Sequence, residues 1–443
     1  MKLQLSQVAA LTGGTLIGKD ATFDGLEVDS REIKAGELFC AVKGEHDDGH
    51  NFVASAMTNG AAGAIVQHNP SAMAPVIVVR SVAGAMAAIA LHFRRMLKGP
   101  VIGVTGSAGK TTVKEMIAAA LLSLGDVLKS EGNLNTEFGV PMTWSRLQPH
   151  HKSAVIEMAM RGPGQIAHLA RMSAPDIGVI TSVGSAHIGE LGSRDAIAAA
   201  KAELLESLPV GGVAIIPADS EFTDLLRERA TCTVTTVGYG GDYEVLEWRQ
   251  SGDLVEFAVR TPDGDVAGSV PGIGEVQARN AAMAIAAAGA VHVRAQEAAT
   301  ALRHVVFPSK RMEIIDRGGV TIWLDAYNSS PESCRLALFA FKDHVGRGRK
   351  IAILGDMLEL GEFAEAAHRK IGAIAATVGL AELALVGILA KYIDEGAQDA
   401  GFVGTISHFE DAESARAVID RALPGDAILI KASRGIALEK ALG

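Results

Sequence analysis

VIGVTGSAGKTTVKEM, residues 101–116, decides the fold class of the chain. Residues 101–105 read as a buried strand and 111–124 as a helix closed by Gly125. Between them Thr105, Gly106, Ser107, Ala108, Gly109, Lys110, Thr111 and Thr112 form a glycine loop of the phosphate-binding type. Gly106 and Gly109 let the backbone curl so that its N–H groups face a phosphate, and the helix N-terminus behind them adds positive potential. Lys110 is expected to reach the β and γ phosphates of ATP, and the Thr111 hydroxyl to ligate Mg²⁺. Val104 stands where the strict pattern has glycine.

Outward from this stretch the pattern is α/β. Strands are expected at 154–158, 177–181 and 213–216 with helices between, an order that implies a parallel sheet covered by helices. A hairpin at 243–248 and 255–259 and an alanine-rich helix at 280–290 complete a central unit, residues 98–310. Before it, residues 1–97 alternate strands at 37–42, 63–67 and 75–80 with turns, and a helix at 82–98 runs into the turn pair Gly99 and Pro100. After Arg311 a hairpin is followed by alternating strands and helices, a doubly wound, Rossmann-like domain at 311–443 that lacks the G-x-G-x-x-G fingerprint of a dinucleotide site.

The 443 residues suit about three domains. Against 51 Asp and Glu stand 41 Lys and Arg, a net charge of -10 that disfavours a general grip on nucleic acid, so an anionic ligand needs a local positive pocket. The longest apolar run, residues 281–291, is eleven residues and too short to span a membrane. Cys40, Cys232 and Cys334 lack the spacing of a zinc site or disulfide framework, and Gln4, Ser6 and Gln7 interrupt the apolar stretch that a signal peptide needs. A cytoplasmic protein is the expectation.

A phosphate loop does not name a reaction, since kinases, switch and transport ATPases and ligases all use one. Glu157 ends the 154–158 strand and His187 follows the 177–181 strand, so both are expected at the carboxyl edge where Lys110 lies, a carboxylate and an imidazole able to share metal binding. Lys201, on a helical stretch, is by residue type alone a solvated cation.

Several spaced motifs then agree. TGSAGKTT, GNLNTEFGVPMT (132–143), VIEM around Glu157, SAHIGELGS around His187, AAKAE around Lys201, ARN at Asn280, KRMEII, LDAYNSSPES (324–333), ILGDMLELG (353–361) and IKASRG (430–435) together resemble the ATP-dependent Mur ligases of peptidoglycan synthesis. The stretch 29–52 and the DAYNSSP and GDMLELG motifs point within that family to addition of D-alanyl-D-alanine to a UDP-N-acetylmuramoyl-tripeptide. The D-N-P-R motif of the diaminopimelate-adding member is absent. A tripeptide-forming ligase of the same family, a folylpolyglutamate synthetase and a P-loop switch ATPase are the rival readings.

The resemblance implies an acyl phosphate mechanism, with Lys110, Lys201, His187 and Arg311 as catalytic residues. It implies a first metal on Thr111 and Glu157, and a second on His187 and Lys201, the lysine carbamylated by CO2 with its pKa lowered to permit that. Asn135 and Thr136 are expected near the phosphates or metal, and Asn280 at the adenine. Arg311, Asp325, Tyr327 and Asn328 are expected to meet ATP when the third domain closes. Ser30, Arg31, Lys43 and His50 are expected at the uridine diphosphate, and Lys431, Ser433 and Arg434 at the incoming substrate. Ser329 and Ala432 depart from the family's usual alanine and glycine. A monomer is expected.

Overall fold

The computed structural model describes residues 1–44, 47–68, 75–344 and 346–443, so Glu45 and His46 of the 29–52 motif lie outside the described residues. Its centre is a six-stranded, fully parallel sheet in the order Thr233–Val237, Val213–Pro217, Ile177–Ile180, Val101–Thr105, His151–Glu157 and Asp126–Lys129. All five residues of Val101–Thr105 are buried, which explains the unbroken apolar run. This first strand of the unit lies between Ile177–Ile180 and His151–Glu157. The connection from it runs toward Asp126–Lys129, whereas that from its neighbour Ile177–Ile180 runs the other way toward Val213–Pro217, and at such a point the loops diverge and leave a crevice at the carboxyl edge.

The helix Lys110–Ala120 packs against the long helix Glu275–Gly289, whose eleven buried residues are mostly alanine and let the two backbones approach closely. The antiparallel sheet Glu244–Ser251, Leu254–Thr261 and Gly264–Pro271 covers the far side of that helix. The third of these strands has no counterpart in the sequence reading, because Gly264 and Gly268 read as turn residues. Gly268 is glycine because a Cβ there would press on the backbone of Ala299. The edge strands Asp126–Lys129 and Thr233–Val237 were equally illegible, being short or threonine-rich and only partly buried.

Flanking the centre, a five-stranded sheet runs in the order Thr15–Ile17, Val76–Val78, Gly63–Val66, Leu38–Cys40 and Leu26–Glu27. On the other side a second six-stranded sheet runs Glu313–Arg317, Val320–Asp325, Ala427–Lys431, Lys350–Gly355, Glu382–Val386 and Thr405–Phe409, parallel except for its first strand. In this last sheet the Ala432 methyl fits because Gly355 opposite it has no Cβ. Among the described residues no helix is long and apolar enough to cross a membrane.

The helices Ala364–Ala375 and Lys391–Asp399 pack backbone to backbone at two glycines. A Cβ on Gly372 would overlap the Ile393 carbonyl oxygen, and one on Gly396 the Arg369 carbonyl oxygen. Neither neighbour is a side chain that can swing aside, so an added methyl must separate the helices. Gly372→Ala is therefore expected to destabilise the chain by about 1–3 kcal/mol, read as a lower denaturation midpoint, whereas Gly379→Ala on a nearby turn with open space around it costs only its backbone strain.

Candidate active site

The phosphate loop owes its shape to the neighbouring strand. Gly106 has φ +151° and a Cβ there would overlap Thr181 Oγ1, so only glycine lets the loop lie against residue 181. Gly109 takes φ +83° and turns the chain into the helix that starts at Lys110. Of the loop amides expected to face a phosphate, two are engaged within the fold. Ser107 N–H donates to the Ser182 carbonyl (2.9 Å) and Ala108 N–H to Ser182 Oγ (2.9 Å). These two amides tie the loop down, and the free donors are those of the helix's first turn from Lys110 onward. Thr105 is buried and its carbonyl accepts from Thr181 N–H (2.9 Å), a scaffolding role.

Lys110 Nζ folds back to the Gly106 carbonyl (2.8 Å), and burial lowers its pKa against the pull of Glu157. Glu157, 1% exposed at the end of its strand, accepts from Thr111 Oγ1 (2.8 Å) and from Asn135 Nδ2 (2.9 Å). A buried carboxylate paired with a hydroxyl at a strand end is an oxygen donor set suited to Mg²⁺. Behind it, and missed in the sequence, lies the fully buried Lys114, 4.0 Å from Glu157 and bonded to the Ser130 carbonyl and to Glu115. Thr136 accepts from Gly139 N–H (3.3 Å), and Asn280 Oδ1 sits beside Gly109. Asn280 is thus at the phosphate loop as well as on the helix expected to meet adenine.

His187 takes the left-handed conformation (φ 65°) ahead of the short helix Ile188–Leu191. Burial, then the nearby Lys110 and Lys201 charges, push its pKa down to about 4, so the imidazole is neutral and able to ligate metal at physiological pH. Its Nδ1 lies 3.1 Å from Glu359 Oε2 without hydrogen-bond alignment. Glu190 and Glu359 bring carboxylates to the same spot. Lys201, only 1% exposed on the helix Arg194–Glu206, is no solvated cation. Burial foremost, then the Lys110 charge, lower its pKa to about 7, with Glu332 opposing. A buried amine that is substantially neutral near pH 7 meets the first requirement for adding CO2.

From the third sheet, Arg311 stacks its guanidinium 3.9 Å from the Tyr327 ring centre, and Arg434 approaches the same ring at 5.6 Å. Arg311 Nε is buried and has no partner among the described residues. Lys431 and Ser433, expected at the incoming substrate, line the same cavity as the phosphate loop and are also hydrogen-bonded within the fold. Lys431 Nζ, 1% exposed, donates to Asp325 Oδ2 (2.6 Å) and the Asn328 carbonyl (3.0 Å), while Ser433 Oγ accepts from Leu358 N–H (2.9 Å) and donates to the Ser329 carbonyl (3.1 Å). These bonds fix the Asp325 to Ser329 turn at the cavity wall. The departure at Ser329 adds a buried hydroxyl with no hydrogen-bond partner among the described residues.

One cavity of about 1390 Å³ gathers Ser107 to Thr112, Asn135, Thr136, Glu157, His187 and Asn280 with Arg311, Asp325, Tyr327, Asn328 and Arg434 and, from the N-terminal sheet, Lys43. Ser30, Arg31 and His50 do not line it. Arg31 is ion-paired to Asp29 (2.6 Å), the Ser30 carbonyl accepts from Asn59 (2.8 Å), and both ring nitrogens of His50 are engaged, with Asp48 (2.6 Å) and Gln67 N–H (2.9 Å). For His50 this corrects the expectation of a direct diphosphate contact, because the ring is already spent on holding its own loop.

Residues 22–94 match the model of the Mur ligase family, catalytic domain, residues 104–288 that of the Mur ligase middle domain, and residues 310–434 that of the Mur ligase, glutamate ligase domain. The UDP-N-acetylmuramoyl-tripeptide--D-alanyl-D-alanine ligase of Bacillus subtilis is 35% identical over 450 residues, covering 99% of this chain and 97% of that protein. A crystal structure of MurF from Acinetobacter baumannii superposes with a TM-score of 0.91 at 30% identity, covering 100% of this chain and 98% of the other. MurF ligase from Thermotoga maritima in complex with ADP superposes with a TM-score of 0.82 at 28% identity over 94% and 96% of the two chains. With three family domains matched in order and a relative 35% identical over nearly the whole chain, the chain belongs to the Mur ligase family.

Proposed function

We propose that this chain is an ATP-dependent ligase that joins D-alanyl-D-alanine to UDP-N-acetylmuramoyl-tripeptide through an acyl phosphate, acting in the cytoplasm as a monomer. The observation that carries the reading is the single cavity lined at once by the phosphate loop, by the Thr111–Glu157 pair and by Arg311 and Arg434 of the third unit. Its volume exceeds the roughly 300–1,000 Å³ of a one-ligand pocket, as a site for a nucleotide and two further substrates requires. In this reading residues 1–97 bind the uridine nucleotide, with Lys43 the side chain that reaches the cavity, residues 98–310 bind ATP and residues 311–443 bring the amine.

In the first step the tripeptide carboxylate attacks the γ-phosphorus and ADP leaves; in the second the dipeptide amine displaces phosphate from the acyl carbon. Two anions must meet in the first step, so catalysis rests on charge neutralisation and alignment. Lys110 and the first-turn amides face the phosphates, Arg311 approaches from the third unit, and the Tyr327 ring keeps that guanidinium flat. Thr111 and Glu157 would hold Mg²⁺, which would supply further positive charge to the site. His187 and Lys201 would suit a second ion if the neutral Lys201 amine bonded to CO2 and released a proton, which would turn a neutral amine into a carbamate anion. Arg311, Asp325, Tyr327 and Asn328 enter the site as one unit because Lys431 ties Asp325 to Asn328.

A purified preparation given ATP, Mg²⁺, D-alanyl-D-alanine and the tripeptide nucleotides ending in meso-diaminopimelate or L-lysine should yield the pentapeptide by mass, with ADP release dependent on both substrates. ADP release that ignores both would favour a switch ATPase. Lys110→Ala should lower turnover by at least about 10²-fold, the scale of losing one preorganised charge stabiliser, with uridine-nucleotide binding retained in calorimetry.

The lowered Lys201 pKa sets a pH dependence. Below about pH 7 the amine is protonated and cannot attack CO2, so in CO2-depleted buffer activity should recover on adding bicarbonate above that pH and recover poorly below it. Lys201→Arg keeps a positive charge but cannot form the adduct, and its full activity would return this residue to a structural role.

A further inference from the structure

The segment after Ile177–Ile180 is gripped from two sides. On its inner side Thr181 and Ser182 hold the phosphate loop, and Gly184 N–H donates to Ser107 Oγ (2.8 Å). On its outer side Glu332, in the first turn of the third unit's helix Pro331–Lys342, accepts with a single oxygen from both Ser185 N–H (2.6 Å) and Ser185 Oγ (2.8 Å). Gly184 makes that docking possible, because a Cβ there would overlap Glu332 Cδ and Cγ. Its backbone is not in the left-handed region, so the absent side chain serves close approach and not backbone freedom. A second third-unit segment closes on the same stretch, with Gly361 packed on the Gly189 backbone and Glu359 ion-paired to Arg161 (3.2 Å).

We propose that Glu332 is a positioning residue: by seating Ser185 it presses the 181–187 segment onto the phosphate loop, so that the loop and His187 reach their working geometry only when the third unit is docked. The inference rests on the ligase reading and deepens it. The order passes from Glu332 to the phosphate loop through residues 182 to 185. A carboxylate accepting two hydrogen bonds at once gives the contact strength and direction, and Gly184 makes it specific for a close-docked unit.

The test is a two-by-two cycle on the full chain, with ligation and hydrogen exchange read together. Glu332→Ala should lower kcat about tenfold or more, leave the melting temperature unchanged and speed exchange at the Ser185 amide. Glu332→Gln, which keeps the accepting oxygen, should stay within about threefold of the parent. Gly184→Ala should cost about tenfold in the parent, yet add less than about twofold in the Glu332→Ala background, since the atoms it collides with are gone; coupling of that kind marks a shared contact. The proposal is overturned if Gly184→Ala costs the same factor in both backgrounds, if Glu332→Gln falls as far as Glu332→Ala, or if exchange at Ser185 is unaltered. Failure of the parent chain to ligate D-alanyl-D-alanine would instead sink the ligase reading, and the exchange result would still decide the docking contact.

Discussion

The fit of Gly106 against Thr181 is the contact on which the active centre depends. Two adjacent parallel strands end there, and their following loops are tied together by Ser182 before either turns away. From that knot one chain direction becomes the helix that presents Lys110 and Thr111, and the other becomes the segment that presents His187. A third strand end, on the opposite flank of Val101–Thr105, brings Glu157 into hydrogen bonding with Thr111. The chemistry of the site is therefore held by sheet register, which is far stiffer than loop conformation.

Buried ionisable groups surround this knot, and the structure handles each differently. Lys114 and Lys431 are saturated by carbonyl and carboxylate partners, and serve to hold backbone and carboxylates in place. Lys201 makes no hydrogen bond among the described residues, and burial foremost, then the Lys110 charge, lowers its pKa. The same residue type is thus a strut at two positions and, at a third, a buried amine without a hydrogen-bond partner among the described residues.

Much of this was legible in the sequence. The strand, loop and helix around 101–120, the parallel central sheet and the strand-end positions of Glu157 and His187 all follow from apolar runs bounded by glycine. The alternation after Arg311 likewise gave the second parallel sheet. What could not be read was whatever depends on partners distant in the chain. Glu332 meets Ser185 across 147 residues, and a glutamate in a helix's first turn otherwise reads as a favourable end charge. Nothing local to Lys431 and Ser433 reveals that they also bond to the 325–329 turn. His50 was misjudged for the same reason, its partners Asp48 and Gln67 N–H being a turn and a strand end brought together only by folding. The strand Gly264–Pro271 escaped because glycines chosen for tight packing resemble glycines chosen for turning.

The acidic exterior and the cationic interior of this chain also act as a filter. A net charge of -10 repels extended polyanions at distances near the Debye length of about 10 Å, while Lys110, Arg311 and Arg434 line a concave site. A compact phosphate ester that enters that recess exchanges its hydration for fixed cations, while the overall charge makes its approach slower and quickened by added salt.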